Sequence, residues 1–420
     1  MKERMNMKLR TLILAISLVF GVSTSLFAQP AAVKKAADAA FTLTTFKADG
    51  SILATSNGVC IGTDGIAVSP WKPFIGANKA VIVDSKGQKH DVECLLGANE
   101  IYDIAKFQVS GKTAAAPLAT TVSAGDEVWL TPILKSGNAE KANVTSVEKF
   151  MDKYNYAILS SSATDKMNGV PVFDKKGQVI GLYNKSGDSQ SSTDANYAKD
   201  FILKGLSQND VTLRQSDIRI GLPNTLEEAV VALMLSSEKP ANIHEAIVNE
   251  FITKFPESND GYYALANIQI AKGEVANADK TMQTAIGKVT AKDEAHYNFA
   301  RLIYRNAFIP EFEEKAKAIG WTLDKALDEV QKAQSAKAND AYRHLQAQIT
   351  YAKGDYAKAY TDFEALTKTK FKNPELYLEM AQSRQHLGAS DKELLDLLNK
   401  SIELCDTHYV PTSAPYLYMR

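Results

Sequence analysis

Apolar and polar positions alternate over short stretches in the first half of the chain, from Ala40 to about Leu206. Turns that contain glycine separate these stretches, as at Asp84–Gly87. The stretches predicted as strands are 41–47, 53–61, 66–69, 80–84, 89–96, 104–109, 127–130, 143–148, 156–160, 170–173 and 178–182. Residues 187–196 are polar and predict a surface loop, and 197–206 predict a short helix. Many short strands with glycine-containing turns predict a β-barrel or sandwich.

The apolar period changes from 2 to 3.6 at about Thr225, and β-branched residues become less frequent. Residues 208–224 predict a linker between two domains, one over 33–207 and one over 225–410. Each half then has its own core, so we expect the halves to be separable.

The second half contains helical repeats. The pattern Ala-Lys-Gly-acid-x-Ala-x-Ala occurs at 271–278 and again at 352–359. It resembles the turn of tetratricopeptide (TPR) repeats, which place small residues where two helices cross and glycine at the bend. Further repeat helices are predicted at 246–256, 294–306, 323–335, 377–388 and 392–402. The resemblance implies an α-helical solenoid whose concave face binds a protein or peptide; the alternative is an unrelated helical bundle.

The first 28 residues have the pattern of a signal peptide. Lys2, Arg4, Lys8 and Arg10 precede an apolar run at 12–22, and small residues lead to a cleavage point after Ala28. No later stretch approaches the length that a membrane-spanning helix requires. We therefore expect a periplasmic or extracellular protein without stable membrane insertion; the alternative is a retained N-terminal anchor.

The charge, the cysteine content and the absence of ligand motifs limit the partners and cofactors that can be expected. The 420 residues include 48 basic and 49 acidic side chains, a formal net charge of −1, which argues against nucleic acid as a partner. Cys60 and Cys94 fall on predicted strands, where two buried thiols are favoured over a disulfide. No cluster of histidine, cysteine and aspartate residues in the sequence has the spacing of metal ligands, and no phosphate-binding glycine loop is present. Neither a metal nor a cofactor is therefore expected.

Several motifs of the first half are similar to those of trypsin-like serine proteases of the HtrA/Deg type. Residues 58–68, Gly-Val-Cys-Ile-Gly-Thr-Asp-Gly-Ile-Ala-Val, resemble the strands that lead to the catalytic histidine. Residues 100–106 resemble the segment of the catalytic aspartate, and 166–171 resemble the loop of the nucleophile. The resemblance covers about 41–206 and implies a trypsin-like double β-barrel.

The resemblance places Lys72 at the histidine position, Asp103 at the aspartate position and Asn168 at the serine position. Acyl transfer needs an attacking hydroxyl, a base and an oxyanion hole. Asn168 is not a nucleophile and Lys72 is a poor base, so we expect Lys72 and Asp103 to form an ion pair. In the oxyanion loop, Lys166, Gly169 and Val170 stand where the family has three glycines.

These substitutions predict a pseudoprotease with no catalytic residues, in which the TPR-like repeats provide a binding or scaffold module. The alternative is an exported endopeptidase with an unorthodox residue set, such as a serine of 160–162 acting with Lys72. His90 is expected to have a surface or turn-packing role. Trp71, beside Lys72 in the substrate cleft of the family, is interpreted as a plug for that cleft rather than a stacking platform.

Overall fold

The computed structural model describes residues 29–133, 139–307 and 309–405. The predicted signal peptide and residues 406–410 of the predicted helical domain lie outside these ranges. The chain divides into two compact units, one ending at Gly221 and one beginning at Leu222. Within the described ranges, no helix has the length and apolar character that crossing a membrane requires.

The first unit contains two closed antiparallel barrels of six strands each. The strands of the first barrel are β1 (Ala40–Phe46), β2 (Ile52–Cys60), β3 (Ile66–Ser69), β4 (Lys79–Asp84), β5 (Lys89–Asn99) and β6 (Ile104–Val109). Those of the second are β7 (Glu127–Leu130), β8 (Glu140–Phe150), β9 (Tyr154–Ser160), β10 (Pro171–Asp174), β11 (Val179–Ser186) and β12 (Ser189–Thr193). Pairing of β1 with β4 and of β7 with β10 closes the two barrels.

Both barrels have the same strand order, in which the third strand pairs with the sixth and the first with the fourth. Alternating residues point inward, so Phe41 and Leu43 of β1 are buried in the first barrel, and Val128 and Leu130 of β7 are buried in the second. This is the trypsin-like double barrel that the resemblance implies. Together with the helices that follow, it confirms the predicted fold class of β-barrels followed by a helical solenoid.

The last strand, β12, differs from the expectation of a polar loop at 187–196. Ser191, Ser192 and Thr193 are buried, and the strand lies between β11 and β9. The hydroxyl of Tyr156 donates to Ser191 Oγ at 2.8 Å, which satisfies part of this polar interior. Short hydroxyl side chains can face a barrel interior when they are hydrogen-bonded, so the hydrophobic pattern did not reveal the strand.

The predicted closing helix is also shorter than expected, since the α-helix after β12 covers only Ala195–Lys199. The segment assigned to a linker then adds to the first barrel. Leu213, Ile218 and Ile220 are buried in the same cluster as Trp71, and Ile220 forms a parallel bridge with Leu95 of β5. Residues 208–221 thus complete the core of the first unit.

The second unit is an array of helices, which we number after α1 (Ala31–Ala36) and α2 (Ala195–Lys199) of the first unit. They are α3 (Leu226–Ser236), α4 (Ala241–Lys254), α5 (Asn259–Ala271), α6 (Val275–Lys288), α7 (Lys292–Asn306), α8 (Glu313–Ala318), α9 (Leu323–Ala336), α10 (Asp340–Ala352), α11 (Tyr356–Leu366), α12 (Pro374–His386) and α13 (Asp391–Glu403). Apart from the short α8, they form successive antiparallel hairpins, beginning with α3 and α4.

Three of the hairpins share one turn geometry. Gly273, Gly354 and Gly388 have φ between 73° and 86°, a conformation that favours glycine. In the first of these turns, the N–H of Glu274 donates to the Gln269 carbonyl five residues earlier at 2.8 Å, and the other two turns repeat this bond. This is the Schellman type of helix end. Alanines seven residues before each glycine, at Ala266, Ala347 and Ala381, are buried.

Cys60 and Cys94 are both buried and are not joined by a disulfide. Burial raises the pKa of the Cys60 thiol to about 11. A thiol in this surrounding stays protonated and behaves as a small apolar side chain. The favoured interpretation of two buried thiols therefore agrees with the structure.

Candidate functional site

The ion pair expected between Lys72 and Asp103 is present in the first barrel. Lys72 begins a 3-10 helix (Lys72–Phe74) directly after β3, and Asp103 lies in the turn before β6 with a positive φ of 46°. One carboxylate oxygen of Asp103 accepts the backbone N–H of Lys72 at 2.8 Å, and the other lies 3.5 Å from Nζ. One carboxylate thus binds both the backbone and the side chain of Lys72.

Asn168 is bonded to a different part of the unit. Its Oδ1 accepts the backbone N–H of Lys185 on β11 at 2.7 Å, and its Nδ2 lies 3.4 Å from the Lys185 carbonyl. Asn57 of β2 donates to the Asn168 carbonyl at 3.0 Å. Of the three positions expected to correspond to a triad, Lys72 is thus bonded to Asp103, whereas the side chain of Asn168 is bonded to Lys185.

The loop around Asn168 is wound as a 3-10 helix over Asp165–Met167. The N–H of Asn168 donates to the Asp165 carbonyl at 3.0 Å, and the N–H of Val170 donates to the Met167 carbonyl at 3.0 Å. An oxyanion hole needs backbone N–H groups that point at the substrate. In this loop, the N–H of Asn168, at the expected nucleophile position, is already used within the protein.

The three positions expected to form an oxyanion loop have different surroundings. Lys166 is exposed, whereas Val170 is buried in the core of the second barrel. Gly169 has a φ of 84°, and a Cβ on it would lie only 2.5 Å from the carbonyl oxygen of Asn57 and 2.8 Å from Pro70. The loop is thus packed tightly against residues of the first barrel.

Trp71 is completely buried in the core cluster of the first barrel. Its ring stacks on Phe74 with centroids 5.9 Å apart and an interplanar angle of 13°. The indole Nε1 has no hydrogen-bond partner among the described residues. The ring therefore fills the barrel interior and does not present a face for stacking on a ligand.

Ser161, Ser162 and His90 each have a hydrogen-bond partner within the first unit. Ser161 Oγ and Ser162 Oγ both lie within 3.0 Å of the Glu140 carboxylate. His90 is buried, with Nδ1 2.7 Å from the Ser110 carbonyl and Nε2 3.6 Å from Asp84 at the turn that the sequence pattern marks. His90 thus packs between the turn of its own hairpin and the end of β6.

A cavity of about 550 Å³ lies in the helical unit between α3 and α5, the first helices of successive hairpins. Its apolar lining comes mainly from Val230, Leu233 and Met234 of α3 and from Tyr263, Ala264 and Ile268 of α5. His244 of α4 also lines it, and burial lowers the pKa of this imidazole, which favours its neutral form. The cavity is therefore suited to an apolar ligand group.

Sequence reasoning missed a second cluster in the helical unit. His344 of α10 and Glu375 and Glu379 of α12 each place one donor atom within 4.8 Å of the others. The spacing of the two glutamates, four residues apart, puts them on one helix face, but His344 is 31 residues before Glu375. Only the stacking of successive hairpins brings the three together.

In comparisons with known proteins, no protein-family model matches the chain, and no curated protein shows significant similarity to it.

Proposed function

We propose that this chain is a non-catalytic trypsin-like protein of the HtrA/Deg type whose TPR-like hairpins bind a peptide or protein segment. The observation that carries the first part is the state of Asn168. Its backbone N–H donates to Asp165 and its side chain is hydrogen-bonded to Lys185, so the nucleophile position offers neither a hydroxyl nor an oxyanion donor. The family mechanism requires both.

Export is part of the same proposal. The basic start, the apolar run at 12–22 and the small residues before Gln29 support secretion through a signal peptide. The protein then acts in the periplasm or outside the cell. Intact-mass measurement on exported material tests this, because removal after Ala28 leaves Gln29 as the first residue.

The binding part rests on the hairpin array. The shared turns at Gly273, Gly354 and Gly388 support TPR-like repeats, whose first helices line a concave face. The apolar cavity between α3 and α5 lies between two such first helices. We therefore propose that this face takes a peptide with apolar side chains, one of which fills the cavity.

The absence of catalysis is tested with unfolded casein and a serine-directed fluorophosphonate probe. We expect no cleavage and no labelling of the purified chain. Labelling that is lost on replacing a serine of 160–162 would instead support the endopeptidase with an unorthodox residue set.

Peptide binding is tested by selection from a displayed peptide library, followed by titration of the selected peptide. Met234 lines the cavity and has 69% of its surface exposed, so Met234→Arg should weaken binding without unfolding the helix. Leu395→Arg is the matched control, because Leu395 is an exposed leucine of α13 outside the cavity. Equal affinity of both variants would exclude the cavity as the peptide site.

A further inference from the structure

The cluster of His344, Glu375 and Glu379 links the first helices of two successive hairpins. Nε2 of His344 lies 2.6 Å from one carboxylate oxygen of Glu379, and the side-chain amide of Gln348 donates to the other oxygen at 2.7 Å. The imidazole packs against Phe363 and Phe371, with ring centroids 5.9 and 5.4 Å away. The orientation of the imidazole and of Glu379 is therefore fixed by their neighbours.

Glu375 is the third member of this cluster and the most exposed of the three. The pair of His344 and Glu379 is complete without it, and no described residue forms a hydrogen bond or ion pair with its carboxylate. Its carboxylate can therefore bind an ion placed between it, His344 and Glu379 without giving up a bond to the protein.

We propose that His344, Glu375 and Glu379 bind a divalent transition-metal ion of the Zn²⁺ class. An imidazole nitrogen with carboxylate oxygens is a donor set that Zn²⁺ accepts, whereas Ca²⁺ and Mg²⁺ prefer oxygen donors alone. Three protein ligands leave one tetrahedral position for water or for a group of a bound ligand.

The geometry needs only a small adjustment. Bonds of about 2.0–2.1 Å in a tetrahedral site place donor atoms roughly 3.3 Å from each other. The three donors already lie within 4.8 Å of one another, and those on His344 and Glu379 are 2.6 Å apart. Binding displaces the proton that lies between these two atoms, and the proton is released to solvent. Gln348 stays on Glu379 and orients it, as outer hydrogen bonds do in metal sites.

Two residues of the proposed metal site occupy the same positions in their hairpins as two residues that line the apolar cavity, counted back from the glycine of the turn. Glu375 precedes Gly388 by 13 residues, as Asp260 precedes Gly273, and His344 precedes Gly354 by 10 residues, as Tyr263 precedes Gly273. Asp260 and Tyr263 line the cavity between α3 and α5. A metal held by α10 and α12 would thus cross-link two hairpins on the face that corresponds to the cavity.

The test is calorimetric titration of ZnCl₂ into the full chain, without an affinity tag and after removal of metals with EDTA. We expect one Zn²⁺ to bind per chain, and Glu375→Gln and His344→Gln to weaken this binding by about tenfold or more. Glu364→Gln, which alters an exposed carboxylate paired with Lys368 on the neighbouring α11, should bind Zn²⁺ like the unaltered chain. Co²⁺ should give visible d–d absorption that His344→Gln abolishes.

Thermal melts separate the metal site from a structural role. Without metal, Glu375→Gln should melt at the same temperature as the unaltered chain or higher, because it removes the repulsion from Glu379. With Zn²⁺, only the unaltered chain and Glu364→Gln should gain stability. Failure of the unaltered chain to bind Zn²⁺, or equal binding by Glu375→Gln, would overturn the proposal.

Discussion

The two units differ in how far along the chain their stabilising contacts reach. In the β unit, Asp103 holds the N–H of Lys72, 31 residues away, and Asn57 holds the carbonyl of Asn168, 111 residues away. In the helical unit, the turn at Gly273 is closed by a bond between Glu274 and Gln269. The β unit is thus fixed by non-local pairing, whereas the hairpins are fixed largely by local bonds.

The two candidate sites differ in whether their polar groups have hydrogen-bond or ion-pair partners within the protein. At the positions expected to correspond to a triad, Lys72, Asp103 and Asn168 each have a partner within the protein. In the helical cluster, the exposed Glu375 lies beside Glu379 and has no hydrogen bond or ion pair with a described residue. A carboxylate that no protein group occupies stays available to a ligand, whereas a polar group that is already hydrogen-bonded within the protein is not.

The largest expected effect comes from truncation. A fragment of residues 29–207 lacks Leu213, Ile218 and Ile220, whose burial stabilises the first barrel by about 1.5–3 kcal/mol per side chain. We expect 29–221 to unfold cooperatively and 29–207 to be largely unfolded in urea titrations followed by tryptophan fluorescence.

The matched truncation in the helical unit removes α12 and α13. Each hairpin contacts chiefly its neighbours, so the remaining hairpins should keep their helical circular dichroism. Complete loss of helix in this variant would show that the helical unit is as non-local as the barrels.

The next largest effect is expected at Gly169. In Gly169→Ala, the new Cβ would lie 2.5 Å from the Asn57 carbonyl, in addition to the strain of a positive φ. We expect a loss of about 2–4 kcal/mol in the free energy of unfolding. Gly87→Ala is the control, since Gly87 has a φ of 82° with no atom within 4 Å of the added Cβ, and it should lose only about 1 kcal/mol. Equal losses would mean that the loop does not press on the first barrel.

A smaller effect is expected from the side chains of the triad positions. Asn168→Ser removes the acceptor of the Lys185 N–H and should lower the free energy of unfolding by about 1–2 kcal/mol. Lys72→Ala should change it by less than about 1 kcal/mol, because the Lys72 side chain is 73% exposed and its backbone bond to Asp103 remains. The reverse order in chemical denaturation would show that the ion pair, and not Asn168, stabilises this region.

The smallest effect concerns catalysis. We expect the double variant Lys72→His, Asn168→Ser to remain without proteolytic activity. The loop would still direct the N–H of residue 168 to the Asp165 carbonyl, so no oxyanion hole would form. Casein cleavage by the double variant would show that the loop rewinds easily. Restoring the glycine of the family with Val170→Gly would also destabilise the chain, because Val170 is buried in the second barrel and its loss leaves a cavity.

Local patterns of the sequence predicted much of the architecture. Period-2 alternation and glycine turns give the bounds of β3, β6 and β7 as the structure has them, and Ala-Lys-Gly marks the hairpin turns at Gly273 and Gly354. These features depend on neighbouring residues alone, through side-chain alternation and the positive φ of glycine. The ion pair of Lys72 and Asp103 could also be anticipated, but only from the resemblance to a known fold.

Tertiary structure decided the rest, because its determinants lie far apart in the chain. The polar sequence of Ser189–Thr193 predicts a loop. In the structure it is a strand, because β9 and β11 pair with its backbone and Tyr156 donates a hydrogen bond to Ser191. The winding of the loop at Asp165–Met167 and its packing through Gly169 on Asn57 likewise have no local signature. The approach of His344 to Glu375 and Glu379 requires two hairpins to stack in one register. Local sequence patterns do not predict this register, because it depends on packing between helices that are far apart in the chain.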